Sequence, residues 1–254
     1  MTVWNDFLAH HLADKQAQDN ERQLTPMARD GLYAEVNGQR LLNLAGNDYL
    51  ALGTRSDWQR EFGQQLEAQG QYWSSSSSQL LTGHSPLHQQ VEATLARLFQ
   101  REAALTFASG YQMNFGLLNA LSTGKVLILA DKLVHASMVD GLLISKAKFL
   151  RYRHNDMTHL HALLCQYHAA FERIIIVTES VFSMDGDIAD LQQLVAFKRE
   201  FANVALYVDE AHAIGVRGES GLGCAEEQGC VAEIDFLVGT FGKAVHSVGG
   251  YVVC

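Results

Sequence analysis

Seven short apolar runs, most of them separated by stretches with helical spacing, constrain this chain more than any other feature. They are Ala103 to Ala108, Lys125 to Ala130, Ala147 to Arg151, Arg173 to Thr178, Val204 to Val208, Ile234 to Val238 and Gly249 to Val253. Continuous runs of this length, without polar alternation, suit strands buried on both faces, which is the setting of a parallel sheet roofed by crossover helices. Residues 156 to 170 and 187 to 201 read as two of those helices. The expected fold class is therefore α/β, with a mainly parallel seven-stranded sheet covered by helices on both faces. No internal repeat or low-complexity linker divides it.

At 254 residues and 48% hydrophobic content the chain can bury a large core. Its net charge of −9 argues against a nucleic-acid partner, which would call for a basic face. The opening MTVWNDFLAHHLADKQAQDNER is polar, and no later stretch is long and apolar enough to cross a bilayer, so the expectation is no membrane and a cytoplasmic location. Four cysteines show neither CxxC spacing nor the density of a disulfide scaffold, which fits a reducing compartment. His84 and His88 have the spacing of two ligands on one helical face, but no carboxylate or cysteine cluster completes a metal site.

Ahead of the strands, Trp4, Phe7, Leu8 and Leu12 recur at helical spacing, and Asn37-Gly38 between alternating apolar residues signals a tight hairpin. Residues 1 to 45 read as an N-terminal arm and hairpin, and 46 to 254 as the large domain. Gly46-Asn47-Asp48-Tyr49-Leu50 reads as a turn into the next helix. The run Ser74 to Ser78 is either a flexible linker or a hydroxyl-rich anion loop, and spacing does not decide between them. Val91, Leu95, Leu98 and Phe99 then mark a helix that Pro86 suits as a first turn.

The reactive side chains cluster where the apolar runs end. Val204 to Val208 breaks into Asp209, Glu210 and His212, and the run from Ile234 to Thr240 is followed by Gly242 and Lys243. The carboxyl ends of parallel strands are where open α/β sheets bind ligands. Singly, each of these residues reads as well as a turn former, a cap or a solvated charge. The tetrapeptide Asp209-Glu210-Ala211-His212 also occurs in nucleotide-driven helicases. Such a motor needs a GxxxxGK[ST] phosphate loop, which this chain lacks. Ser109, Gly110 and Tyr111 form a strand-to-helix turn whose free amides would favour a phosphate. His135, after the second run, could stack on a planar ligand or cap a helix. Glu179 and Ser183 follow a further strand. One ligand would use all of these groups, a planar phosphate ester with an aldehyde for an amine and a ring nitrogen for an acid: pyridoxal 5'-phosphate, with Lys243, Asp209 and the Ser109-Gly110 turn as its partners.

From about Leu42 to Cys254 the chain also resembles the α-oxoamine synthases of the aspartate aminotransferase fold. The likeness rests on NDYLALG, LLTGHSPLHQQVE, FASGYQMN, DKLVHASMVDG, RHND, ESVFSMDGD, VDEAHAIGVRGESGLG and GTFGKA. It implies that Lys243 binds the cofactor covalently and moves the α-proton of the amino acid. Asp209 would pair with the pyridine nitrogen, His135 would stack on the ring, and His212 and Ser183 would meet its phenolic oxygen. Gly110, Tyr111 and Thr240 would hold the phosphate, with Asn47 near the active site and Arg22 meeting the acyl substrate. The motifs are most similar to the biotin-synthesis branch, which implies decarboxylative condensation of L-alanine with a pimeloyl thioester, delivered by coenzyme A or a carrier protein. A homodimer is implied as well. The alternatives are glycine or serine with a different acyl-coenzyme A, or an inactive piece that keeps cofactor binding or dimerisation. Two departures from the pattern stand out: Val245-His246-Ser247 follows Lys243 where the family has small residues, and the C-terminal small domain of the family is expected to be absent.

Overall fold

The computed structural model describes residues 2–254 and divides into two compact units, the first ending at Ala45 and the second running Gly46–Cys254. In the first unit, α1 (Val3–Ala17) is capped by Thr2, whose hydroxyl accepts from Asn5 N–H. It is followed by β1 (Ala28–Asp30), β2 (Tyr33–Val36) and β3 (Gln39–Leu42), an antiparallel sheet in that order. Asn37 and Gly38 turn between β2 and β3 with φ of 51° and 77°, the left-handed pair that a two-residue hairpin demands.

The second unit begins with α2 (Ser56–Ala68) and α3 (Pro86–Leu98), then alternates. Its elements are β4 (Ala104–Phe107), α4 (Gly110–Leu121), β5 (Val126–Asp131), α5 (Ala136–Ile144), β6 (Lys148–Tyr152), α6 (Met157–Tyr167), β7 (Arg173–Glu179), α7 (Leu191–Glu200), β8 (Val204–Asp209), the short α8 (Cys224–Glu227), β9 (Phe236–Thr240) and β10 (Gly250–Val253). The sheet order is β4-β10-β9-β8-β7-β5-β6, and only β10 runs against its neighbours. The expected seven-stranded, mainly parallel sheet is present.

Alternate residues of each central strand enter opposite cores, as the pleat requires. Leu127, Leu129, Ile174, Ile176, Leu206 and Val208 pack with Leu160 and Leu164 of α6 and Leu194 and Phe197 of α7. Val126, Ile128, Ile175, Val177 and Tyr207 face the other way, onto Met113 and Leu118 of α4 and Met138 and Leu142 of α5. Two covered faces explain why these strands read as unbroken apolar runs.

One helix begins later than the sequence suggested. Residues 187 to 190 stay extended because Ile188 bridges back to Val181, and α7 starts only where the Asp190 side chain accepts from Gln193 N–H.

Candidate active site

Parallel strands that end in register bring their last residues side by side. Glu179 at the end of β7 is the register partner of Asp209 at the end of β8, and Asp209 in turn pairs with Val238 of β9. The turn after β9 carries Lys243. These ends form one wall of a cavity of about 160 Å3 lined by Gly110, Tyr111, Asn114, His135, Ser137, Glu179, Asp209, Ala211, Thr240 and Lys243.

The floor is Asp209, 6% exposed. Its carboxylate accepts from Asn114 Nδ2–H at 3.0 Å and from Ala211 N–H at 2.9 Å. Asn114 is held by the Tyr207 hydroxyl, which donates to Asn114 Oδ1 at 2.5 Å, and its amide also donates to Ser137 Oγ at 3.0 Å. Ser137 Oγ lies 2.8 Å from His135 Nδ1. A hydrogen-bonded row thus runs from the acid to the imidazole. His135 both caps α5, accepting from Ser137 N–H at 3.2 Å, and lines the cavity.

Burial sets the charge states. Glu179 is pushed up to about 8, first by burial and then by the neighbouring Asp209, although it accepts from His135 N–H at 2.6 Å. Burial also lowers the Lys243 amine below the ordinary lysine range, against the pull of Asp209 and Glu179. His212, 2.8 Å from Lys243 Nζ through Nε2, is pushed down to about 4 by burial and by the lysine charge. A partly desolvated amine beside a neutral imidazole and a buried acid is suited to nucleophilic attack on a carbonyl and to moving a proton.

At the far end of the cavity α4 begins. Ser109 caps it, accepting from Gln112 N–H at 3.1 Å. The free amides of the first turn point out of a twelve-residue helix whose dipole favours an anion. Gly250 of β10 sits so close beneath that a Cβ there would lie 2.8 Å from Gly110 Cα. Thr240 stands opposite, its hydroxyl donating to Gly249 O at 2.8 Å and accepting from Gly242 N–H at 3.1 Å. Tyr111 is oriented by a hydrogen bond from its hydroxyl to Asp140.

Residues 39–254 match the family of class I and II aminotransferases. The chain belongs to that family. A protein from Pasteurella multocida provisionally named 8-amino-7-oxononanoate synthase is 51% identical over 98% of this chain, which spans 64% of that relative's length. Among solved structures, a serine palmitoyltransferase from S. paucimobilis with a bound pyridoxal phosphate–myriocin adduct superposes with a TM-score of 0.87 at 29% identity, covering 100% of this chain and 66% of the other. An 8-amino-7-oxononanoate synthase from Francisella tularensis gives 0.64 at 28% identity, over 82% of this chain and 57% of the other.

Within this aminotransferase-family unit, Gly110, Tyr111, His135, Glu179, Asp209, Thr240 and Lys243 share the cavity, with Ser109 at its helix cap and His212 hydrogen-bonded to Lys243. Asn47 lies one step behind, accepting from the Tyr49 hydroxyl, which contacts His212. Ser183 is not among the lining residues. Phe182 turns inward and is 2% exposed, which leaves Ser183 exposed on the turn between Val181 and Ile188. Arg22 is exposed and belongs to the N-terminal unit. Sequence reading missed Asn114, Ser137, Ala211 and Tyr49. Asn114 falls four residues after Gly110, and that spacing, which sets both on one face of α4, was the available signal.

Proposed function

We propose that this chain binds pyridoxal 5'-phosphate and catalyses, as part of an α-oxoamine synthase, the decarboxylative condensation of L-alanine with a pimeloyl thioester. The observation that carries the reading is Lys243 and Asp209 in one cavity whose far end is the N-terminus of α4. The site fits the group: a backbone cradle at Gly110 kept open by Gly250, a desolvated amine, and a buried carboxylate already fixed by two donors.

When bound, pyridoxal phosphate supplies an aldehyde for an amine and a ring into which negative charge at the substrate α-carbon can spread. The first-turn amides of α4, with Tyr111 and Thr240, would hold its phosphate. Asp209 would keep a ring nitrogen protonated, and His135 would cover one face. Lys243 would hold the aldehyde, and its Nζ would take up and return the α-proton of the amino acid. Asn114 would keep Asp209 in place.

The P. multocida and F. tularensis relatives, both named as 8-amino-7-oxononanoate synthases, support this reading; the proposal takes coenzyme A or a carrier protein as the leaving group. The serine palmitoyltransferase likeness supports a second reading, serine with a longer acyl thioester on the same cofactor. A homodimer is part of the proposal. The test is to incubate the chain and cofactor with alanine, glycine or serine against pimeloyl, acetyl and palmitoyl thioesters, and to follow carbon dioxide and thiol release. Release with alanine and pimeloyl thioester alone is the expected result, and preference for serine with palmitoyl thioester would establish the second reading instead.

A further inference from the structure

Behind the Lys243 amine a row of side chains leads to the surface. Lys243 Nζ lies 2.8 Å from His212 Nε2, and His212 Nδ1 lies 2.8 Å from the Tyr49 hydroxyl. That hydroxyl donates to Asn47 Oδ1 at 3.2 Å. A phenol has one proton to give. Given to Asn47, it would leave only lone pairs facing His212, and Nδ1 would then carry the ring proton with Nε2 as the bare nitrogen facing Lys243. With the imidazole pushed down to about 4, the ring has a single proton to place at neutral pH, and its position decides which way the row of hydrogen bonds runs.

The strap that carries Tyr49 is pinned independently. Asp48 accepts from Leu52 N–H and Gly53 N–H, both at 2.9 Å, and pairs with His246 at 3.2 Å. His246 belongs to the Lys243 turn, in the Val245-His246-Ser247 stretch that departs from the family's small residues, and it takes a left-handed φ of 50°. The strap is therefore tied at neighbouring residues to both loops whose side chains meet, His212 through Tyr49 and the Lys243 turn through Asp48.

We propose that Tyr49 is a positioning residue: by accepting the Nδ1 proton of His212 it fixes the ring's tautomer and presents Nε2 to Lys243 as an acceptor. The amine is then held as a donor along one direction, ready to receive the amino acid's α-proton and return it. This rests on the role given to Lys243 above, but the measurement is made without added cofactor, so its failure would leave that role standing.

The experiment is long-range proton–nitrogen NMR of the full chain labelled with 15N-histidine, at neutral pH and without cofactor, with His212 assigned by its loss in His212→Asn. The wild type should show His212 protonated at Nδ1 and bare at Nε2. Tyr49→Phe removes the acceptor and should replace the single tautomer by a mixture. Asn47→Ala frees the phenol proton to compete for Nδ1 and should lower the share of the ring protonated at Nδ1. A wild-type ring protonated at Nε2 would overturn the proposal, as would a folded Tyr49→Phe protein with the wild-type pattern. Should that variant not fold, an unchanged pattern in Asn47→Ala overturns it equally.

Discussion

Replacing Glu179 by glutamine should stabilise the protein in alkali and do little in acid. Glu179 is 3% exposed, and folding lifts its carboxyl from an ordinary 4.5 to about 8, because burial and Asp209 both disfavour the charge. A carboxyl raised in the folded state contributes fully to stability below its unfolded value, and the contribution is lost as pH rises toward the folded one. Between about pH 5.5 and 8 the wild type therefore loses roughly 1.4 kcal/mol per pH unit through this residue, about 3 kcal/mol in all. Glutamine keeps an oxygen for His135 N–H and never has to ionise. Urea unfolding of both proteins at about pH 5.5, 7 and 8.5, without cofactor, measures the difference, and any fixed cost of the amide cancels between conditions. A gap that grows with pH in favour of Glu179→Gln by about 3 kcal/mol is expected. A gap constant within about 1 kcal/mol, or one that grows the other way, would refute the reasoning.

Glu210 is fully buried and accepts from the Ser180 hydroxyl at 2.5 Å, Cys224 N–H at 3.0 Å and Ala225 N–H at 2.7 Å. Glu210→Ala strands all three donors and should cost roughly 3 kcal/mol or more in denaturant unfolding, at about 1 kcal/mol or more for each. A loss under about 1 kcal/mol would contradict that role. Gly250→Ala drives a methyl group against the Gly110 backbone, which cannot swing aside as a side chain would. It should weaken pyridoxal phosphate binding by roughly tenfold or more in a spectrophotometric titration, the equivalent of about 1.4 kcal/mol of misfit at the cradle. Unchanged affinity would place the phosphate elsewhere.

The strand ends were legible because a buried parallel strand must stop being apolar where it leaves the sheet. Asp209, Glu179 and Lys243 each mark such a stop, and the order of the sheet then places them side by side. The hairpin was legible for a similar reason, since Asn37 and Gly38 are residues that accept a left-handed backbone. What supports the site was not legible. Asn114 and Ser137 are polar residues within or at the start of helices whose buried faces are otherwise apolar, and only the packing of α4 against α5 reveals that they meet each other, with Asn114 reaching on to Asp209. Tyr49 read as part of a turn, which it is. Its contact spans 163 residues of sequence to His212, and no local pattern announces a pairing of that range. The late start of α7 has the same origin, because the bridge between Val181 and Ile188 overrides helical spacing.

The central claim is that Lys243 is the amine that holds the cofactor. Adding pyridoxal phosphate to the purified chain, reducing with borohydride and mapping the modified peptide tests it directly. A visible absorption band before reduction and a label on Lys243 alone, lost in Lys243→Ala, are expected. No band, or a label scattered over the surface lysines, would contradict it.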